Sequence, residues 1–389
     1  MFIFQKRMLI VIILMLFFVA SFRFTYAFWA SSVEGSSSIG NGVVQVGTWA
    51  PSGFIGVTQT GTENGMITLS EIGTGSNTLS SKYILMTDID LNNNSFTPIG
   101  GASGIFSGEF YGNGKKISNV SITTNQQYLG LFARNSGLIS GVSLENINIT
   151  LSSTTELIAG GIAGSNSGSI IFSYTTGSMN IETTYSGAVN PTTRIAIGGG
   201  IAGANSNKIE NSHSSMTVSV TSNVNISSGG NRVGNAISKA GGLVGENTSA
   251  TGILNNYATG SVSSTAIATA GGNSTGNATV YAGGLVGHNT TANGVNNSYA
   301  TGSVTATGSG KTTNTMYFGG LNGLGAANSS YRMTGQSVTG NSGTANIIGT
   351  ATALANLQSG TWIQTNLLWS ADDWVFGTNV YPRLKRNKY

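Results

Sequence analysis

One phrase returns along the chain and restricts what it can fold into: Gly241-Gly242-Leu243-Val244-Gly245-Glu246-Asn247, then Gly283-Gly284-Leu285-Val286-Gly287-His288-Asn289. A second phrase follows each copy, Asn256-Tyr257-Ala258-Thr259-Gly260-Ser261-Val262 and Ser298-Tyr299-Ala300-Thr301-Gly302-Ser303-Val304. Counted on the second Gly, copies stand at Gly161, Gly200, Gly242, Gly284 and Gly320, giving steps of 39, 42, 42 and 36 residues. A degenerate copy at Gly130 precedes them by 31. Repeats of this length are units that cannot bury an apolar face alone, so they stack into a solenoid.

The rest of the composition fits one elongated array. Lys, Arg, Asp and Glu make up only 8% of 389 residues, against about 25% in ordinary proteins, so hydroxyls and amides must solvate the surface. Only 4 Pro occur, which leaves long strand ladders open. Cys is absent, which excludes disulfide scaffolds, thiolate metal sites and Cys nucleophiles. The formal charge is +4. Removing Lys6, Arg7 and Arg23 with a leader leaves 14 basic against 13 acidic residues. No basic cluster with interleaved aromatics occurs before the terminal Arg383–Lys388 run, so nucleic acid is not an expected partner.

Residues 1–27 read as a secretory leader: Lys6-Arg7, then an apolar run from Met8 to Ala20, then Thr25-Tyr26-Ala27 with a small residue for cleavage. Retained, it would be the chain's one membrane contact. Residues 27–49 also resemble the leader junction of exported Gram-positive matrix proteins. Residues 28–80 read as a linker turning into an N-terminal cap. From Tyr83 onward, short apolar pieces of four to six residues alternate with Gly and Asn turns, which signals strands. Val142–Leu144, Ile147–Ile149, Thr217–Val220 and Val224–Ile226 alternate with period two, one face buried.

Asp88-Ile89-Asp90-Leu91, Pro98-Ile99-Gly100, Phe106-Ser107-Gly108 and Gly112-Asn113-Gly114, followed by repeated Gly-Gly-Leu-Val-Gly-x-Asn, resemble the bacterial GLUG-repeat surface proteins over roughly residues 83–340. The resemblance implies an all-β, right-handed parallel β-helix, exported and displayed at the cell surface. Such repeats occur in adhesins and in the non-catalytic parts of large surface peptidases. Parallel strands stacked in register place one repeat position of every coil in a row. Leu131, Ile162, Ile201, Leu243, Leu285 and Leu321 should then form an interior row. Asn135, Asn166, Asn205, Asn247 and Asn289 should bond from coil to coil at a turn, where Asn tolerates left-handed backbone. Tyr174, Tyr257, Tyr299 and Tyr331 should form an aromatic row. Segments such as Ser263–Val280 and Thr305–Met316 read as loops on one face, often the binding face. Residues 81–340 are thus the β-helix. Residues 341–389, with three of the five Trp and a short helix at Ala351–Leu357, read as a small C-terminal cap sealing the stack. The competing use of those aromatics is a carbohydrate-stacking platform.

The chemistry-bearing residues are sparse. Asp88 and Asp90 lie i, i+2 on one strand face, a pair suited to a polysaccharide lyase or hydrolase or to Ca²⁺. Yet no neighbouring sequence supplies a third carboxylate or a basic partner, so turn bonding is the expected use. His213 and His288, the only two His, occupy different repeat positions, carry no HExxH signature and read as exposed turn residues. The expectation is an exported, adhesin-like solenoid without catalysis, cofactor or metal. It would meet glycans or surface proteins along its flank, with no part for nucleic acid.

Overall fold

The computed structural model describes residues 49–62, 64–227 and 230–385. The expected leader and the first part of the linker lie outside the described residues. Among these, the strands form four parallel sheets of 8, 14, 6 and 6 strands, with one antiparallel pair at the C-terminal end. The chain is the expected parallel β-helix.

One coil shows the plan. Val233–Gly241 runs in a six-stranded sheet up to the Gly-Gly corner, and Val244–Asn247 leaves it in the other six-stranded sheet. Ile253–Leu254 belongs to the eight-stranded sheet. Tyr257–Ala258 and Val262–Ala270 belong to the fourteen-stranded sheet, and Thr275–Gly283 opens the next coil.

The corner is built by contact between coils. Leu131, Ile162, Ile201, Leu243, Leu285 and Leu321 are fully buried, as the repeat predicts. A Cβ on Gly242 would stand 2.1 Å from the Gly284 carbonyl oxygen, and one on Gly284 2.1 Å from that of Gly320. These glycines are kept by the close approach of the next coil. A second interior row, unremarked in the sequence because its residue types vary, joins Tyr83, Phe110, Ile139, Ile170, Ile209, Ile253 and Val295 in register. All are fully buried.

The Asn row forms as expected. Asn135, Asn166, Asn205 and Asn247 each donate through Nδ2 to the next Oδ1, at 2.8, 2.7, 2.8 and 2.9 Å. Their backbone, however, is extended strand. The left-handed turn positions fall on a different row: Gly141, Phe172, Asn211, Asn255, Asn297 and Ser329, with φ between 45° and 69°.

The segments read as loops are strands. Ser263–Val280 is occupied by Val262–Ala270 and Thr275–Gly283, and Thr305–Met316 by Val304–Gly310 and Thr313–Gly319. They extend two of the sheets into a two-layer wing with its own core, including Val224, Ile226, Ala268, Val280, Ala306 and Phe318. Alternation of small apolar and polar residues, with few large side chains, made these stretches resemble polar loops. The wing also gives a physical basis for the uneven period, because each coil lengthens by what its two wing strands need.

At the N-terminal end, Ile55–Val57 opens the eight-stranded sheet by pairing with Lys82–Leu85, Ile67 bridges Val57, and Leu69 and Ile72 are buried. At the other end, residues 331–352 complete the last turns, where Thr350–Thr352 pairs with Tyr331–Met333 and Asn346 bridges Gly319. The predicted short helix spans Leu354–Leu357 and is followed by a second, Gly360–Asn366, capped by the Ser359 hydroxyl. The aromatic residues beyond it turn back along the side of the solenoid, which is where the candidate site lies.

Candidate functional site

The aromatic row is real and more continuous than the repeat suggested. Lys116, Ser143, Tyr174, His213, Tyr257, Tyr299 and Tyr331 pair in register on successive coils. His213 fills the place between Tyr174 and Tyr257. Its ring stacks on both, with centroids 5.0 and 4.5 Å apart, and Tyr257 stacks on Tyr299 at 5.1 Å. His213 is therefore a half-buried strand residue instead of an exposed turn residue. Its burial pushes the imidazole pKa down to about 3, because a low-dielectric surrounding disfavours the charged ring.

The C-terminal segment lies across this row. Trp369 donates through Nε1 to the Asn297 carbonyl at 2.8 Å, and Trp374 through Nε1 to Asn211 Oδ1 at 3.3 Å. The Tyr257 hydroxyl donates to the Pro382 carbonyl at 2.7 Å. Trp369 and Trp374 stack on each other at 4.5 Å and keep only 2% and 1% of their surface exposed. They close the flank over Tyr257 and Tyr299, whose hydroxyl pKa values burial raises. The segment therefore seals the side of the stack, where apolar ring surface would otherwise be wet. Buried in this way, these two Trp are unavailable as a carbohydrate platform.

Where the clasp ends, a cleft of about 630 Å³ opens beside Tyr174. The solenoid lines it with Ser143, Glu145, Phe172, Tyr174 and His213, and the C-terminal segment with Val375, Arg383, Leu384 and Lys385. Glu145 accepts the Tyr174 hydroxyl at 2.5 Å and pairs with Lys116 Nζ at 2.9 Å. Phe172 holds φ at 51° in a row otherwise filled by Gly, Asn and Ser. A bulky residue in that region is strained by about 1–3 kcal/mol, and here it lines the cleft. In chemical terms the cleft combines three aromatic rings, hydroxyls, one paired carboxylate and two cationic side chains.

The carboxylate pair lies elsewhere. Asp88 Oδ1 accepts the Lys116 amide at 2.9 Å, and Asp90 Oδ1 accepts the Asn92 amide at 2.8 Å and Asn119 Nδ2 at 2.9 Å. The Asn92 amide first, then Asn119, hold the Asp90 pKa below the usual carboxylate range. Both Asp serve backbone and amide bonding, and among the described residues no group of three or more His, Cys, Asp or Glu could hold a metal ion.

His288 is half-buried on the outer face of a six-stranded sheet. It stacks on Tyr281 at 4.4 Å, and its Nδ1 lies 3.3 Å from Glu246 Oε1. Lys239 pairs with the same carboxylate and lies 5.7 Å over the Tyr281 ring. Burial pushes the Glu246 pKa up, but His288 and Lys239 outweigh it and hold it below its ordinary value. Within this cluster the Lys239 and Glu246 charges pair with each other. The sequence reading missed it because its members meet only across the corner, from Lys239 on one sheet to Glu246 and His288 on another.

No family model matches the chain, and no curated protein matches it. Among solved structures, a crystal structure from Bacteroides ovatus provisionally named an immunoglobulin A1 protease is similar over 79% of this chain and 87% of that one, at 20% identity and a TM-score of 0.46.

Proposed function

We propose that this chain is an exported β-solenoid, displayed at a cell surface or in an extracellular matrix, that binds glycans or surface proteins through its flank and has no catalysis of its own. The observation that supports it best is the flank cleft, where the Tyr174 ring and the Arg383 and Lys385 side chains line one opening. The in-register ladders around it give a rigid scaffold, so little conformational entropy is lost when a ligand settles. Display of many copies adds avidity without any further contact.

A glycan array and a turnover assay on the same acidic and neutral polysaccharides test this reading. Retention without product release is the expected result. Release of shortened product that disappears in Asp88→Asn/Asp90→Asn would instead establish the carbohydrate-active enzyme and overturn the proposal. Cell fractionation with N-terminal sequencing tests export, and an uncleaved chain recovered from the cytoplasm would refute it.

A further inference from the structure

The two outer faces of the wing carry similar residue types and use them differently. On the six-stranded side, Thr193, Asn235, Asn277 and Thr313 stand in register on successive coils and bond one another. Asn235 Nδ2 donates to Thr193 Oγ1 at 3.2 Å, Asn277 Nδ2 to Asn235 Oδ1 at 2.9 Å, and the Thr313 hydroxyl to Asn277 Oδ1 at 2.9 Å. On the fourteen-stranded side, Thr217–Ile226, Val262–Ala270 and Val304–Gly310 pair residue for residue with no shift of register. Their inward positions Val220, Ser264 and Ala306 are buried. The outward positions beside these give two rows of hydroxyls, Ser219, Ser263 and Thr305, then Thr221, Thr265 and Thr307. Among the described residues, none of these six side chains has a hydrogen-bond partner.

We infer that this face of the wing is an ice-binding surface. Neighbouring coils set the side chains of one row about 4.8 Å apart, and the two rows, two residues apart along the strands, lie about 6.6 Å apart. Hydroxyls at the first spacing are too distant to bond each other but well placed to share a water. Two oxygens, each about 2.8 Å from one water and set at the tetrahedral angle, lie about 4.6 Å from each other. That separation is the one between second neighbours in a tetrahedral water lattice, so each row can hold waters at lattice positions. A bridging water bonds nearly as well as a direct partner, and the strand ladders fix the hydroxyls before the water arrives. The Thr methyl groups beside them restrict the orientation of the first water layer. Charged groups would draw water into shells of their own. Among the described residues of these three strands and the adjoining Tyr174–Gly187, the one Lys, Arg, Asp or Glu is Glu182, which accepts Asn223 Nδ2 at 2.5 Å. The three strands also carry no aromatic residue, so a sugar finds no ring here for its C–H face. This favours ice over a glycan, and the inference does not rest on the glycan-binding reading above.

Thermal hysteresis of the full chain around a single ice seed, with buffer and serum albumin as blanks, decides it. The wild type should hold the seed without growth below its melting point and give it facets. Thr265→Tyr places a ring in the middle of the array and should bring hysteresis down to the blank. Thr265→Lys, which adds a charge without a ring, is the second variant, with the same loss expected. Thr279→Tyr makes the first exchange at an outward position of the opposite face and should behave as wild type. Far-UV circular dichroism equal to wild type confirms that each variant is folded. Free growth of the seed in wild type, unaltered hysteresis in folded Thr265→Tyr or Thr265→Lys, or an equal loss in Thr279→Tyr would each overturn the inference. So would retention on an insoluble neutral polysaccharide that Thr265→Tyr abolishes in a protein without hysteresis, because the face would then be a glycan surface.

Discussion

The Asn ladder allows a perturbation to be worked out in advance. Asn205 donates through Nδ2 to Asn247 Oδ1 at 2.8 Å and to the Asn207 carbonyl at 2.9 Å, and its Oδ1 accepts from Asn166 Nδ2 at 2.7 Å. Asn205→Ala removes all three bonds, each worth about 1 kcal/mol net, and leaves Asn247 Oδ1 buried without this donor at a further 1 kcal/mol or more. Asn166 Nδ2 is spared much of the loss because it also reaches the Gly168 and Lys208 carbonyls. The expected cost is about 4 kcal/mol, a large part of a typical stability of about 5–15 kcal/mol. Asn225→Ala is the control, since that exposed Asn bonds only other side chains, Ser186 and Thr269, and should cost about 0.5 kcal/mol or less. Urea unfolding followed by far-UV circular dichroism measures both. Hydrogen exchange near Ser206–Lys208 should show whether the loss is local, as expected where each coil contacts only its neighbours. In the double variant Asn205→Ala/Asn247→Ala, the bond already lost should make the costs sub-additive by about 1 kcal/mol. A loss for Asn205→Ala no larger than that of Asn225→Ala, or strict additivity of the pair, would refute the ladder as a stabilising element.

Three further outcomes can be checked. His213 has a folded pKa near 3 against about 6.5 unfolded. Below pH 6.5 the unfolded chain therefore takes up a proton that the folded chain does not, and stability falls with acid. By pH 5 that amounts to about 2 kcal/mol, and a comparison of wild type with His213→Phe by urea titration across pH 7 to pH 4 should show it. Equal acid slopes would argue against an imidazole held neutral in the stack. Phe172→Asn should raise stability by about 1 kcal/mol, because Asn accepts the left-handed turn that Phe is forced to hold; a loss would mean that packing outweighs the strain. Trp374→Ala removes a ring buried over His213 and Trp369 at about 3–5 kcal/mol. It should expose residues 367–385 to limited proteolysis ahead of the solenoid, and protection equal to wild type would show that the clasp does not depend on this ring.

The sequence determined whatever its own repetition could encode. In a parallel stack, each repeat position meets its counterpart in the next coil, so a period read from Gly161 to Gly320 carries the register with it. The Leu row, the Asn ladder and most of the Tyr row followed from that register. The interior row from Tyr83 to Val295 obeys the same register but escaped notice, because Tyr, Phe, Ile and Val satisfy one buried position equally well. His213 escaped for a related reason: an imidazole can replace a phenol in a stack, so its membership of the Tyr row shows in the pairing and not in the residue type.

What the sequence left open lies off the repeat. Asn211 and Trp374, or Tyr257 and Pro382, are separated by 163 and 125 residues and occur once each, so no period announces them. The C-terminal segment closes the flank because the ladder leaves an apolar ring surface there that its aromatics can bury, and that surface exists only after the coils have stacked. Ser143 is an unremarkable serine in a chain rich in serine. It lines a cleft only because the fold sets it between Lys116 and Tyr174 and carries Arg383 and Lys385 across to the same opening. The coils are thus fixed by short-range repetition, while the candidate site depends on contacts between single residues far apart in the chain, which only the tertiary structure brings together.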